Sequence, residues 1–145
     1  MTLRAGNNGF TLIEIIIVLT IIGLALSVVA IATTREYSKS IIRSEVRKIY
    51  AALKHARETA ITRKSEVIFE TEEENKGYTI TANESQIFRR KLPEGITIYS
   101  ESVIFYPMGD STGGTILVND EDERKYEVQI SNITGRPKVQ WIQSY

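Results

Sequence analysis

The chain has no cysteine, which excludes disulfides, thiolate metal sites and thiol nucleophiles. That absence does not fix a compartment, because an extracytoplasmic domain can fold without bridges. There is a single histidine, His55, so any catalytic triad or imidazole-based metal site has one candidate base or ligand. Proline is scarce, with three in 145 residues, and neither proline nor glycine occurs between Leu24 and Lys76. Nothing in that stretch is a strong helix breaker. An excess of charge of one sign is also lacking, since 18 Lys and Arg balance 18 Asp and Glu. The composition is otherwise that of a folded protein, which excludes disordered and fibrous classes. The length leaves room for one modest core and an anchor.

Charge is balanced overall but unevenly placed. Arg35 to Lys64 holds nine cations against three acids, a net of +6, and Ser65 to Tyr145 holds eight against fourteen, a net of −6. A basic stem therefore carries an acidic head. Before the stem, Ile15 to Thr34 is a run of twenty uncharged residues, mostly Ile, Val, Leu and Ala. As a helix it spans about 30 Å, the thickness of a hydrocarbon core. A secretory signal peptide usually has a shorter apolar region of about 7–15 residues, although Ala30-Ile31-Ala32 fits its small-residue cleavage pattern. Glu14 stands at the head of the run, where a carboxylate is costly and calls for a reason.

Gly9-Phe10-Thr11-Leu12-Ile13-Glu14 closely resembles the processing site of type IV pilins and of the pseudopilins of type II secretion. The resemblance extends from Gly9 to about Thr34. It implies that a prepilin peptidase cuts between Gly9 and Phe10 and that Phe10 becomes a methylated N-terminus. It also gives Glu14 a role, as partner for the Phe10 amine of a neighbouring subunit. Breaking a buried pair of that kind costs about 3–5 kcal/mol, enough to penalise a subunit out of register. The Lys/Arg bias alone would put the segment after Thr34 in the cytoplasm. The motif implies the reverse, a single-pass inner-membrane protein with its C-terminal domain in the periplasm.

Beyond Thr34, Ile42, Val46, Ile49, Leu53, Ala56 and Ala60 recur at a 4-3-4-3-4 spacing. That is one apolar stripe on a helix, and it is expected to pack on the domain's own sheet. From Ser65 the pattern changes to strands. Tyr78, Ile80 and Ala82 alternate with Thr79 and Thr81, as a half-buried strand requires. Further strands are expected at 67–69, 86–92, 96–99, 103–106, 115–118, 126–131 and 138–142, joined by short turns and largely antiparallel. The expected fold is α+β and type IV pilin-like: a long N-terminal helix, half transmembrane and half amphipathic, packed on one or two antiparallel sheets. The expected organisation is a leader at 1–9, a transmembrane and assembly helix at 10–34, an amphipathic stem at 35–64 and a β-rich head at 65–145.

A second resemblance lies in the head. Phe105-Tyr106-Pro107-Met108-Gly109-Asp110-Ser111-Thr112-Gly113-Gly114, then Val128-Gln129-Ile130 and Thr134-Gly135-Arg136, look like the GspH/FimT family of minor pseudopilins and minor pilins. Other features are weaker. Gly109-Asp110-Ser111 approaches a trypsin-like nucleophile motif, but Thr112 interrupts it and only His55 is available as a base. Asp120-Glu121-Asp122-Glu123 clusters oxygens without EF-hand spacing, so no metal ligands are assigned. Arg89-Arg90-Lys91 lies on a strand, where alternation sends neighbouring side chains to opposite faces. In Gly135-Arg136-Pro137-Lys138 the pair Arg136 and Lys138 corresponds to an element implicated in DNA binding by FimT-like members. Lysine at the second site loses bidentate contact, and the acidic head opposes a polyanion.

The resemblances imply a structural subunit with no enzymatic activity and no cofactor. This would be a minor pseudopilin that helps start or cap a type II secretion pseudopilus. Its partners would be other pseudopilins, the prepilin peptidase and membrane lipids. The rival reading is a FimT-like minor type IV pilin that binds nucleic acid in pilus assembly or natural competence.

Overall fold

The structure is a computed structural model that describes residues 10–122 and 124–142, with side chains for all of these except 27–38, 141 and 142. One helix, α1, runs from Leu12 to Arg63 (Leu12–Arg63). Its start is capped by Thr11, whose hydroxyl and carbonyl oxygens both accept from the Glu14 N–H, at 3.3 and 3.1 Å. Thr11-Leu12-Ile13-Glu14 has the spacing of a capping box, and Glu14 puts negative charge on the first turn, where the helix dipole favours it. The helix ends where Lys64 turns left-handed, at φ 53°. The Ser65 N–H then reaches back to the Ala60 carbonyl, a Schellman-type closure.

The chain divides into two compact units, Met1–Lys39 and Ser40–Tyr145. In the first, the described apolar side chains of α1 from Leu12 to Leu26, with Phe10 before them, are exposed. In the second, residues 40–63 of α1 accompany eight strands. These are β1 (Val67–Thr71), β2 (Gly77–Ala82), β3 (Ser85–Lys91), β4 (Ile96–Tyr99), β5 (Val103–Phe105), β6 (Gly114–Asp120), β7 (Lys125–Ile130) and β8 (Pro137–Ile142). All eight expected strands are present, within a few residues of their expected bounds. They form two four-stranded sheets, ordered β3-β2-β1-β5 and β4-β6-β7-β8. Every pairing is antiparallel.

The amphipathic stripe fits its expected role. Ile42, Val46, Ile49, Leu53, Ala56 and Ala60 are all buried and belong to one core with both sheets. The first sheet contributes Val67, Phe69, Tyr78, Ile80, Val103 and Phe105. The second contributes Ile98, Ile116, Val118, Val128 and Ile130. Phe69 and Tyr78 stack with centroids 5.1 Å apart, an arrangement that adds to their burial. Each fully buried Ile, Leu or Phe contributes about 1.5–3 kcal/mol relative to exposure, so the α1 stripe is a main source of stability in this unit.

The β2–β3 hairpin turns through Asn83 and Glu84, both left-handed at φ 49° and 62°. That is the geometry of a two-residue turn whose twist matches the flanking strands. A register shift between Ile80 and Thr81 follows in the β2–β3 pairing.

Candidate subunit-assembly surface

Five residues carry the sequence-based expectations about function. Gly9, on the leader side of the expected cleavage, lies outside the described residues, as does the whole segment 1–9. Phe10 is exposed and immediately precedes the Thr11 cap. Glu14 is exposed on the first turn of α1. Its negative charge on the first turn also favours the helix start, a signal readable in the Thr11…Glu14 spacing. Among the described residues, no helix is long and apolar enough to cross a membrane. The side chains of the second part of the uncharged run, 27–34, fall outside the described ones.

Arg136 and Lys138 are both exposed, one in the turn before β8 and one on β8, where Lys138 pairs with Gln129. The fold separates their surroundings. Lys138 lines an open groove with Arg43 and Arg47 of α1, and Arg136 does not. The other basic cluster disperses. Arg89 bonds Glu72 at 2.5 Å, while Arg90 turns to α1 and grips Glu45 with two bonds of 3.0 Å. Glu45 is 2% exposed and also accepts from Lys48 at 2.6 Å. Burial pushes its carboxyl up, but the bonds and charges of Arg90 and Lys48 outweigh that and hold it below the usual carboxylate range. Nothing in the sequence marks Glu45 and Arg90 as a pair, since 45 residues separate them.

The two turns that carried the second resemblance meet in space. The Nε–H of Arg57 on α1 is shared by the carbonyls of Gly109, at 3.0 Å, and Thr134, at 2.8 Å. Ser111, buried in the first turn, donates its hydroxyl to the Ser131 carbonyl and accepts from the Gly113 N–H. Its hydroxyl thus fastens one turn to the next, and His55 lies exposed on α1. In the acidic loop, Asp120 caps the Arg124 N–H at 2.9 Å, and the Arg124 guanidinium also bonds Asp122. Among the described residues no three His, Cys, Asp or Glu gather in a way that could hold a metal ion.

This geometry offers surfaces and clasps for assembly: an uncovered apolar helix, a stem sealed into a β-rich head, and two interlocked turns. Residues 4–30 match the prokaryotic N-terminal methylation motif. The same fold occurs in the type IV minor pilin FimU of Pseudomonas aeruginosa, with a TM-score of 0.60 and 18% identity over 74% of this chain and 96% of that one. A second crystal form of FimU gives 0.58 and 19%, over 70% and 98%. The minor pseudopilin EpsH from the type 2 secretion system of Vibrio cholerae gives 0.56 and 13%, over 70% and 96%. The fold is therefore that of type IV pilin-like proteins. A comparison with curated protein sequences finds no match. Residues 45–135, which take in the stem from Glu45 onward, both clasped turns and seven of the eight strands, match the type II transport protein GspH, and the chain belongs to that family.

Proposed function

We propose that this chain is a minor pseudopilin, a structural subunit of a type II secretion pseudopilus that acts by packing. The observation that carries the reading is the exposed apolar surface of α1 from Leu12 to Leu26, which none of the described residues covers. A surface of this kind needs lipid or other apolar helices around it. A segment that moves from bilayer to helical bundle meets both needs in turn. Residues 10–34 are the inner-membrane anchor in this reading, and the head lies in the periplasm. A prepilin peptidase removes residues 1–9 at Gly9–Phe10, and Phe10 is methylated. Glu14 then pairs with the Phe10 amine of a neighbouring subunit and sets its register.

Intact mass of the full chain, purified from cells with and without a prepilin peptidase, tests this. The expected species begins at Phe10 and carries one added methyl group in peptidase-positive cells only. A chain that still begins at Met1 in those cells, or one cut after Ala32, would refute the assignment.

The second reading, a minor pilin that binds nucleic acid, draws on the exposure of Arg136 and Lys138 around the stiff Pro137. The net charge of −6 from Ser65 onward opposes it. On the secretion reading, duplex DNA binds only non-specifically, at about 10⁻⁴ M or weaker at physiological salt, and replacing both cations with Ala changes little. Micromolar, salt-sensitive binding lost in that double variant would favour the second reading.

A further inference from the structure

The groove beside Lys138 has a chemistry of its own. It is an open cleft of about 650 Å³ between α1 and β8. Its floor is apolar, made by Val46, Pro137 and Val139, and its rim carries Arg43, Arg47 and Lys138. Among the described residues no carboxylate lines it. Arg43 is steadied by the Tyr126 hydroxyl, to which its Nε–H donates at 3.3 Å. Arg47 and Lys138 form no ion pair among the described residues. Several other cations in this unit hold carboxylates: Arg89 holds Glu72, Arg90 holds Glu45, Arg124 holds Asp120, and Lys54 faces Glu58. Two cations without an ion pair among the described residues, Arg47 and Lys138, thus line the same groove on a net acidic head.

The groove also borders an edge. β8 is the last strand in the order β4-β6-β7-β8, so among the described strands its outer side has no neighbour. Such an edge offers backbone N–H and C=O groups in alternation. An added peptide strand answers both kinds of group. A phosphodiester backbone only accepts hydrogen bonds, so it satisfies the donors and leaves the carbonyls unmet. A polyanion longer than the groove would also meet the acidic remainder of the head within a Debye length of about 8–10 Å. A short acidic segment would not.

We propose that this groove receives an extended acidic segment of a neighbouring pilin-like subunit, laid along β8 as an added strand. The proposal rests on the assembly reading above and names the chemistry of one partner surface. Strand alternation assigns the partner's pattern. Residues beside Val139 face the apolar floor, and those beside Lys138 face the other way. A segment that alternates apolar and acidic side chains fits both. Backbone pairing gives affinity, Lys138 faces the acidic side chains, and Arg47 on the groove side adds to the positive field that selects for negative charge.

The test uses the full chain in detergent micelles and a fluorescent decapeptide of alternating Val and Glu, read by anisotropy. The expected result is saturable binding that weakens as salt rises, with little or no binding of the Val/Lys counterpart. Arg47→Gln with Lys138→Gln should weaken the peptide about tenfold, and the charge-reversed pair R47E/K138E should weaken it further. Both side chains are exposed and unpaired, so melting of either double variant should match the parent. N-methylation of alternate peptide bonds should abolish binding, because a strand needs its donors. Equal binding to the double variants, or equal binding of the N-methylated peptide, overturns the proposal. So does a duplex oligonucleotide that displaces the peptide more readily than unlabelled peptide does. None of these outcomes alters the mass of the mature chain, so failure here is separable from failure of the assembly reading.

Discussion

Gly135 stands against the carbonyl of Gly109 so closely that a β-carbon on Gly135 would lie 2.5 Å from that oxygen. Gly135 is also left-handed, at φ 58°. The two turns can share the Nε–H of Arg57 only because neither side chain bulk nor a right-handed backbone intervenes at this point. The family resemblance in the head, which sequence alone placed on two separate turns, is one joint in three dimensions.

The first prediction concerns that joint. Gly135→Ala adds both a backbone clash and an unfavourable φ, and is expected to destabilise the folded head by about 2–3 kcal/mol. Gly95→Ala is the comparison. It shares a positive φ, but its β-carbon would meet only the flexible Glu121 side chain, at 3.0 Å. It should cost about 1 kcal/mol. Urea unfolding of the two variants measures the difference, and equal losses would mean that the close approach does not matter.

A second prediction follows from Glu45. Glu45→Ala leaves the Arg90 guanidinium without its carboxylate at the edge of the core, and about 3 kcal/mol of stability should be lost. Replacing both residues with Met removes the charges together and should cost much less, because no stranded ion remains. A double-mutant cycle by chemical denaturation decides this. Additive losses would show that the pair is not coupled.

The same region sets the response to pH. The folded-state pKa of Glu45 is depressed, so the stability it adds is present above the unfolded carboxyl value near 4.5 and is lost as pH falls through the lower folded value. Tyr78 behaves oppositely. Burial pushes its phenol up from 10.0 to about 12, with smaller effects from Arg90, which lowers it, and Glu45, which raises it. Its contribution is therefore full below pH about 10 and disappears as pH rises toward about 12, a loss of about 2–3 kcal/mol. The Tyr78 hydroxyl has no hydrogen-bond partner among the described residues. Tyr78→Phe should therefore be near neutral at pH 7 and should flatten the alkaline limb of a stability–pH curve.

Truncation tests where the core ends. Removing residues 1–34 leaves all six buried stripe residues in place, and the remainder should fold and melt cooperatively. Removing residues 1–60 takes away Ile42, Val46, Ile49, Leu53, Ala56 and Ala60. At about 1.5–3 kcal/mol for each large side chain, that loss rivals the whole stability of an ordinary domain. Aggregation or loss of the melting transition is expected. A monomeric, cooperative product would show that the sheets close a core without the helix.

Glu14→Ala should leave the membrane level of the protein unchanged or higher, since the segment becomes more apolar. It also removes a favourable charge from the first turn of α1, an effect of about 0.3–1 kcal/mol on the helix start. On the proposed pairing, contact with neighbouring subunits should fall much more, because the carboxylate proposed to meet the Phe10 amine is gone. Site-specific crosslinking to other pilin-like subunits measures this. Glu14→Gln keeps the side-chain length and loses the charge, so it shows whether a fall in crosslinking comes from the charge or from the missing side chain. Unchanged crosslinking in both variants would leave Glu14 only its favourable charge at the helix start.

Periodicity made much of this molecule legible before its fold was known. The 4-3-4-3-4 spacing from Ile42 to Ala60 identified the buried face of α1, because a helix has one repeat and an apolar stripe on it needs cover from any apolar surface. Alternation from Tyr78 to Ala82 identified an inward strand face for the same kind of reason. Gly9, Phe10 and Glu14 stood out because their spacing along the chain matches a motif, which is legible without any fold. These signals all act over a few residues. They say little about which distant segments meet.

Tertiary structure alone decided the rest. The β3–β4 connection, Leu92 to Gly95, is short enough for a hairpin, yet the two strands belong to different sheets. Local turn chemistry permits either outcome, and the choice rests on which arrangement covers α1 on both sides of its stripe. Arg89 and Arg90 are adjacent in sequence, but the strand sends them to different carboxylates. Arg47 and Lys138 lie far apart in sequence and line one groove, because β8 closes the second sheet beside the exposed flank of α1. A residue's secondary structure follows from neighbours that the chain itself supplies. Its partners follow from how the sheets pack, and that is settled by burial summed over the whole core.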